Sequence, residues 1–153
     1  MRNAAVVDSG PLLALFDADD AHHVRVRQTL QRNSGLKLIT TWPVLTETSA
    51  LLASRVSKDT EVEFLDWVAA GGVKVEALDN ADLEAMIGLL RKYRDLPFDF
   101  ADTSVAALAA SLGIDCILSI DRDFDVYRAA SGKPLRNLVT LPPLRRTRGR
   151  RTP

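Results

Sequence analysis

The chain alternates short apolar runs with longer stretches of helical spacing. Ala4 to Val7 are four apolar residues closed by Asp8, the pattern of a buried strand. After Gly10-Pro11, Leu12 to Phe16 starts a helical turn. Ala21, Val24, Val26 and Leu30, with charges between them, predict a helix over 21–32, and Asn33-Ser34-Gly35 punctuates it as a turn. Lys37 to Thr41 reads as a second strand. Pro43 opens a helix where proline is best tolerated, and the pattern carries that helix to about Arg55. Ser57 caps the next helix, which stops at Gly71-Gly72. A third strand is expected over 73–78, a helix over 80–94, and a helix over 99–112 closed by Gly113. A fourth strand is expected over 116–120, a short helix over 123–130, and a fifth strand over 138–141 before Pro142-Pro143. Strands alternating with helices predict an α/β fold, a three-layer α/β/α sandwich on a mostly parallel sheet of about five strands. Strands in such a sheet are covered on both faces and read as apolar throughout.

A length of 153 residues makes this one domain, set at 1–142, with a tail over 143–153 expected to be disordered. The apolar share of 46% and charged share of 26% are those of a globular chain. The formal net charge is zero, from 20 Lys and Arg against 20 Asp and Glu. The sum hides a split: the last nine residues hold five arginines and no acid, leaving 15 basic against 20 acidic residues in the first 144. The single Cys116 excludes an internal disulfide and a cysteine-based zinc cluster, and its apolar neighbours predict a buried role. No apolar stretch approaches a membrane span, and Asp8 interrupts any signal-like segment, so a cytoplasmic protein is expected. His22-His23 is expected on a helix surface. Trp42 and Trp67 are expected to pack rather than to serve as base-stacking platforms.

In open parallel sheets ligands bind beyond the carboxyl ends of the strands. Asp8 follows the first strand and Asp121 the fourth. Glu47 lies in the first turns of the helix after the second strand, and Asp102 near the start of the helix that feeds the fourth. Four carboxylates gathered in one crevice repel one another unless a cation sits between them. With oxygen ligands and almost no imidazole or thiolate, the matching ion is Mg²⁺ or Mn²⁺ rather than zinc. Such an ion serves phosphodiester hydrolysis. Each acid also has a plainer role. Asp8 before Ser9-Gly10-Pro11 suits a turn cap, and Glu47 suits a macrodipole partner. Asp99 with Asp102 three residues on suits an N-cap and its N3 acid. Of Asp121, Asp123 and Asp125, one reads as functional and another as a cap. Asp102 is the hardest to dismiss, because Ala101, Val105, Ala106 and Ala109 make its helix closely packed, where an unpaired acid is costly.

These pieces, in this order, resemble the PIN-domain family, and within it the VapC-type toxin branch. They are Val6-Val7-Asp8-Ser9-Gly10-Pro11-Leu12, Thr46-Glu47, Asp99-Phe100-Ala101-Asp102-Thr103 and Ser119-Ile120-Asp121-Arg122-Asp123-Phe124. The resemblance spans the chain from Ala4 to about Pro142. It implies a metal-dependent endoribonuclease with Asp8, Glu47, Asp102 and Asp121 in the four acid positions. Mg²⁺ or Mn²⁺ would be held chiefly by Asp8 and Asp102, while Glu47 and Asp121 orient waters or hold a second ion. Ser9 and Ser119 fall where the family carries a supporting hydroxyl. Asp99 and Asp123 are further supporting acids of open role, and Thr103 stands where alanine is commoner. An ion-activated water would cleave RNA to leave a 5′-phosphate and a 3′-hydroxyl. The resemblance also implies a cognate antitoxin that covers the active-site groove, and a homodimer. Arg122, and less directly Arg91, Lys92 and Arg94, could contact RNA phosphates or form a solvated face. The alternative is a catalytically idle PIN-like binding module. A receiver domain is disfavoured because the first strand ends in a single Asp, and an Asp-x-Asp phosphatase because position 10 is Gly.

Overall fold

A computed structural model describes residues 3–144; the arginine-rich segment 145–153, for which disorder was expected, lies outside the described residues. The elements are β1 (Ala4–Val7), α1 (Ser9–Phe16), α2 (His23–Arg32), β2 (Lys37–Thr41), α3 (Trp42–Arg55), α4 (Lys58–Ala69), β3 (Lys74–Glu76), α5 (Asn80–Lys92), α6 (Phe100–Leu112), β4 (Cys116–Leu118) and β5 (Arg136–Asn137). Among the described residues all four strand pairings are parallel, in the order β3-β2-β1-β4-β5, and six helices flank the sheet. Val6 pairs with Ile39 on one side and with Ile117 on the other. The α/β expectation holds.

The strand order positions the site. From β1 the chain moves outward through β2 to β3, then returns past β1 to place β4 on its other side. The β1–β4 junction is therefore the topological switch point, the place where open α/β sheets bind their ligands, beyond the carboxyl ends of the strands. β1 and β4 are buried at every residue, as expected for a doubly covered sheet, whereas the edge strands β3 and β5 are partly exposed.

Local chemistry explains the helix boundaries. Ser57 accepts a hydrogen bond from the Thr60 N–H at 3.0 Å, capping α4 as its sequence predicts. Gly113 ends α6 at φ 64°, a left-handed conformation that favours glycine. α6 is buried at nine consecutive residues, Ala101 to Ala109, and its small side chains let it pack closely against β1 and β2. Trp67 packs against Phe16 and Phe64, with its ring 5.3 Å from Phe16. Cys116 is buried, as expected. Met86, Phe64 and Phe124 are among the largest side chains fully removed from solvent, each worth roughly 1.5–3 kcal/mol on transfer from water.

Several boundaries depart from the sequence pattern. α1 begins at Ser9, directly after its cap, rather than near Leu12, and α2 begins at His23 rather than at Ala21. β3 and β4 are shorter than expected, and α5 ends at Lys92. The fifth strand is Arg136–Asn137 and not 138–141. The Leu138 N–H still reaches the Ile117 carbonyl at 2.9 Å, but the Val139 N–H donates to Asn137 Oδ1 and the ladder ends. The helix expected over 123–130 is a single 3-10 turn, Arg122–Asp125. The Arg128 guanidinium donates to the carbonyls of Asp125 and Tyr127, and a turn at Ala129 to Gly132 diverts the chain. Trp42 does not pack: it is 57% exposed, at the first residue of α3.

Candidate active site

Asp8 is delivered to the switch point by β1, and its N–H continues the ladder to the Leu118 carbonyl at 2.9 Å. Its side chain is 3% exposed. Oδ1 accepts from the Ser9 N–H at 2.8 Å, which makes Asp8 the N-cap of α1. Oδ2 accepts from the Ser119 hydroxyl at 3.1 Å. The turn-cap role and a site role thus fall on different oxygens of one carboxyl. Ser119 Oγ in turn accepts from the Asp121 N–H at 2.9 Å, so a single hydroxyl links the acids that follow β1 and β4. Gly10 permits this closeness, because a Cβ there would lie 2.4 Å from Ile120 Cγ1.

Asp102 sits at the third position of α6 and is 7% exposed. It forms a reciprocal capping box with Asp99: the Asp99 N–H donates to Asp102 Oδ2 and the Asp102 N–H to Asp99 Oδ1, both at 2.9 Å. Asp99 is therefore a cap, as its spacing predicts. Asp121 caps the 3-10 turn by accepting from the Asp123 N–H at 2.8 Å. Glu47 is half-buried in the second turn of α3.

The electrostatics join these residues. Burial pushes the Asp8 carboxyl up to about 7, and the negative charges of Asp121 and Glu47 add to the rise against the hydrogen bonds from Ser9 and Ser119. Burial likewise lifts Asp102 to about 8, opposed by the Asp99 backbone and reinforced by the charges of Asp8 and Asp99. Asp123 is raised by burial and then by its neighbour Asp121. Every charge acting on Asp8 and Asp102 here is negative. Asp8 is the hub: it feels Glu47 and Asp121, and Asp102 feels Asp8.

The donor set fits a hard divalent cation. It consists of carboxylate and hydroxyl oxygens, and burial, with the neighbouring negative charges adding to it, favours the protonated form of two of its acids. Among the described residues no three such side chains are gathered tightly enough to enclose an ion unaided. Mg²⁺ does not demand that, since it takes one or two carboxylates and keeps several waters.

Arg122 is half-buried and its guanidinium donates to the Pro142 carbonyl, tying the segment after β5 to the site's turn. Arg91, Lys92 and Arg94 are exposed, and Lys92 lies 5.1 Å over the Tyr93 ring. Neither histidine joins the cluster. His22 precedes α2, and His23 Nδ1 meets the Ala14 carbonyl at 2.7 Å. Asn137 is the residue that sequence reasoning missed. Its Oδ1 accepts from the Ser119 N–H at 3.1 Å and its Nδ2 donates to the Ser119 carbonyl at 2.8 Å, clamping the backbone of the residue that holds Asp8. No motif contains it, and its only sequence signal is an amide at the end of a two-residue edge strand.

A parallel doubly wound sheet with buried carboxyls beyond its central strands defines an α/β protein with a cluster of acids at its switch point. Within that class the chain belongs to the PIN domain family, whose model matches residues 5–130. It is similar to Ribonuclease VapC26 of Mycobacterium tuberculosis, at 28% identity over 128 residues, covering 83% of this chain and 94% of that protein. The fold is also that of Mycobacterium tuberculosis VapC20, described as a sarcin-ricin loop cleaving toxin. That match has a TM-score of 0.73 at 24% identity, and covers 80% of this chain and 93% of that one. A further fold match is VapBC2 from Rickettsia felis bound to a DNA fragment from its promoter. It has a TM-score of 0.59 at 13% identity, with 80% and 92% coverage. Among the described residues no helix is long and apolar enough to cross a membrane.

Proposed function

We propose that the chain is a Mg²⁺- or Mn²⁺-dependent endoribonuclease, the toxin of a toxin–antitoxin pair, silenced by a cognate antitoxin. The observation that carries the reading is the pair of buried carboxyls, Asp8 and Asp102, raised to about 7 and about 8 in a cluster of acids. Such a cluster destabilises an empty site and suits a cation. Membership of the PIN family and the likeness to a protein named as a ribonuclease supply the reaction class. Likeness to VapC26, to the VapC20 toxin and to the VapBC2 assembly supports the toxin role and a protein partner. The nuclease is assigned to 1–142.

In this reading Asp8 and Asp102 would hold the ion, and Glu47 and Asp121 would orient waters or help hold a second ion. When bound, the ion supplies Lewis acidity and lowers the pKa of water. Ser119 fixes Asp8 Oδ2 and the Asp121 backbone, while Ser9 fixes Oδ1 through its N–H. Asp99 and Asp123 support the acids through the capping contacts. A water oxygen bonds to phosphorus, the P–O3′ bond breaks, and the proton ends on the departing 3′ oxygen. No side chain in the cluster is an imidazole or amine base, so Glu47 and Asp121 are left to accept and pass that proton through water.

The test is cleavage of RNA by the full chain with Mg²⁺ or Mn²⁺, with circular dichroism to confirm folding. Asp102→Ala is expected to lower the rate by at least about 100-fold, the scale of losing an electrostatic stabiliser of the transition state. Wild-type cleavage by that variant would overturn the assignment. Growth arrest on expression, rescued by a co-expressed small partner protein, tests the toxin role.

A further inference from the structure

Two large aromatic side chains stand in solvent beside the acids. Trp42 is 57% exposed and Phe100 is 50% exposed. Trp42 is the first residue of α3, which carries Glu47, and Phe100 is the first residue of α6, which carries Asp102. Both line one open cleft of about 630 Å³, together with Pro43, Thr46, Glu47 and Asp99. They also line an adjoining depression with Leu83 and Met86.

The backbone that presents them is fixed. Thr41 and Asp99 cap the two helices, and Thr41 Oγ1 meets Ser104 Oγ at 2.7 Å, pinning the start of α3 to α6. The Thr46 hydroxyl donates to the Trp42 carbonyl at 2.9 Å. The rings therefore project from rigid helix ends and not from a loop.

The ionisable side chains of the cleft are Glu47 and Asp99, both acidic, so it offers a phosphate no cation, and what it offers an RNA strand is the two aromatic faces. Glu47 belongs both to this cleft and to the acid cluster, so the aromatic surface continues directly from the candidate active site. Single-stranded RNA is recognised by splaying out bases and stacking them on aromatic rings.

We propose that Trp42 and Phe100 form a stacking platform for an unpaired base of the RNA, next to the phosphate presented to Asp8 and Asp102. The proposal rests on the ribonuclease reading above and assigns base recognition to these two side chains. Trp42 and Phe100 bind and position the substrate, and take no part in proton transfer.

The experiment uses the full chain carrying Trp67→Phe, which leaves Trp42 as the only tryptophan, and Asp8→Asn, which blocks cleavage. The probes are a short unstructured RNA and an abasic ribose-phosphate oligomer of equal length, with Mg²⁺ present and binding followed by anisotropy. Base-containing RNA is expected to quench Trp42 emission, and the abasic oligomer to leave it unchanged. Trp42→Ala is expected to weaken RNA binding by roughly 5- to 150-fold, the range of one base–aromatic stack. Trp42→Phe is expected to recover most of that loss. In the chain with Asp8 intact, Trp42→Ala is expected to raise KM far more than it lowers kcat. Bound RNA with no change in Trp42 emission overturns the platform. So does Trp42→Ala that lowers self-association, or binding of a protein partner, while leaving RNA affinity intact. Quenching by RNA that the chain with Asp8 intact never cleaves keeps the platform and sinks the ribonuclease reading. Failure to bind RNA at all sinks both.

Discussion

Replacing Asp8 by asparagine is expected to stabilise the ion-free protein at alkaline pH. The native carboxyl is raised from 3.8 to about 7. Below pH 3.8 it is protonated in both the folded and unfolded chains, and no penalty arises. As the pH climbs to 7 the unfolded chain gives up its proton and the native chain keeps it, so stability falls. Above 7 the loss is complete. At 1.36 kcal/mol per pKa unit, the ceiling is about 4 kcal/mol. Relaxation and the linked titration of Asp102 bring the expected gain to about 2 kcal/mol. The amide preserves the contacts: its oxygen accepts from the Ser9 N–H, and its nitrogen donates to Ser119 Oγ, which also accepts from Asp121 N–H. Thermal unfolding in chelator should place the Asp8→Asn Tm roughly 4–8 °C above the parent at pH 8. The two should converge near pH 4. Saturating Mn²⁺ should raise the parent Tm and erase the variant's advantage. A variant equal to or less stable than the parent at pH 8 would refute the claim that Asp8 is a strained, buried acid awaiting a cation.

Ion affinity should rise with pH through 7 and 8, because protons and the cation compete for Asp8 and Asp102; Mn²⁺ calorimetry at pH 6 and pH 8 reads this directly. An affinity flat across that range would contradict the raised carboxyls. Asn137→Ala removes the amide that holds both the N–H and the carbonyl of Ser119. It is expected to cost about 1–3 kcal/mol in urea unfolding, with cleavage falling further than the change in folded fraction explains. An unchanged rate would reduce Asn137 to a sheet-edge residue.

Which features the sequence reveals follows from how each residue acts. β1 is legible because four apolar residues end abruptly in an acid, and β4 because Cys116-Ile117-Leu118 has no polar face to show. Asp99 is legible as a cap because the capping box is a local, three-residue device. β5 is not, since Arg136 and Asn137 lie on an edge where burial leaves little apolar signature. The apolar Leu138 to Leu141 drew the strand assignment away from them. The helix expected over 123–130 is only a 3-10 turn, and the arginine that captures its carbonyls carries no pattern in the sequence. Trp42 read as core because tryptophan usually is, and only tertiary placement at a helix start leaves it outside. Strand ends give the places of Asp8 and Asp121, and helix starts those of Glu47 and Asp102. The Ser119 bridge, which spans 111 residues of sequence, belongs to the fold alone.

That span has a consequence for synthesis. The sheet is laid down as β1, β2 and β3 first, yet β1 acquires its second neighbour only when β4 arrives, and β4 is clamped by Asn137. A nascent chain halted before residue 116 holds Asp8 beside an open sheet edge, with no Ser119 to orient it and no Asp121 opposite. The centre is thus completed only when nearly the whole domain has left the ribosome. Under the proposed function, a growing chain that still lacks these residues is expected not to cleave RNA.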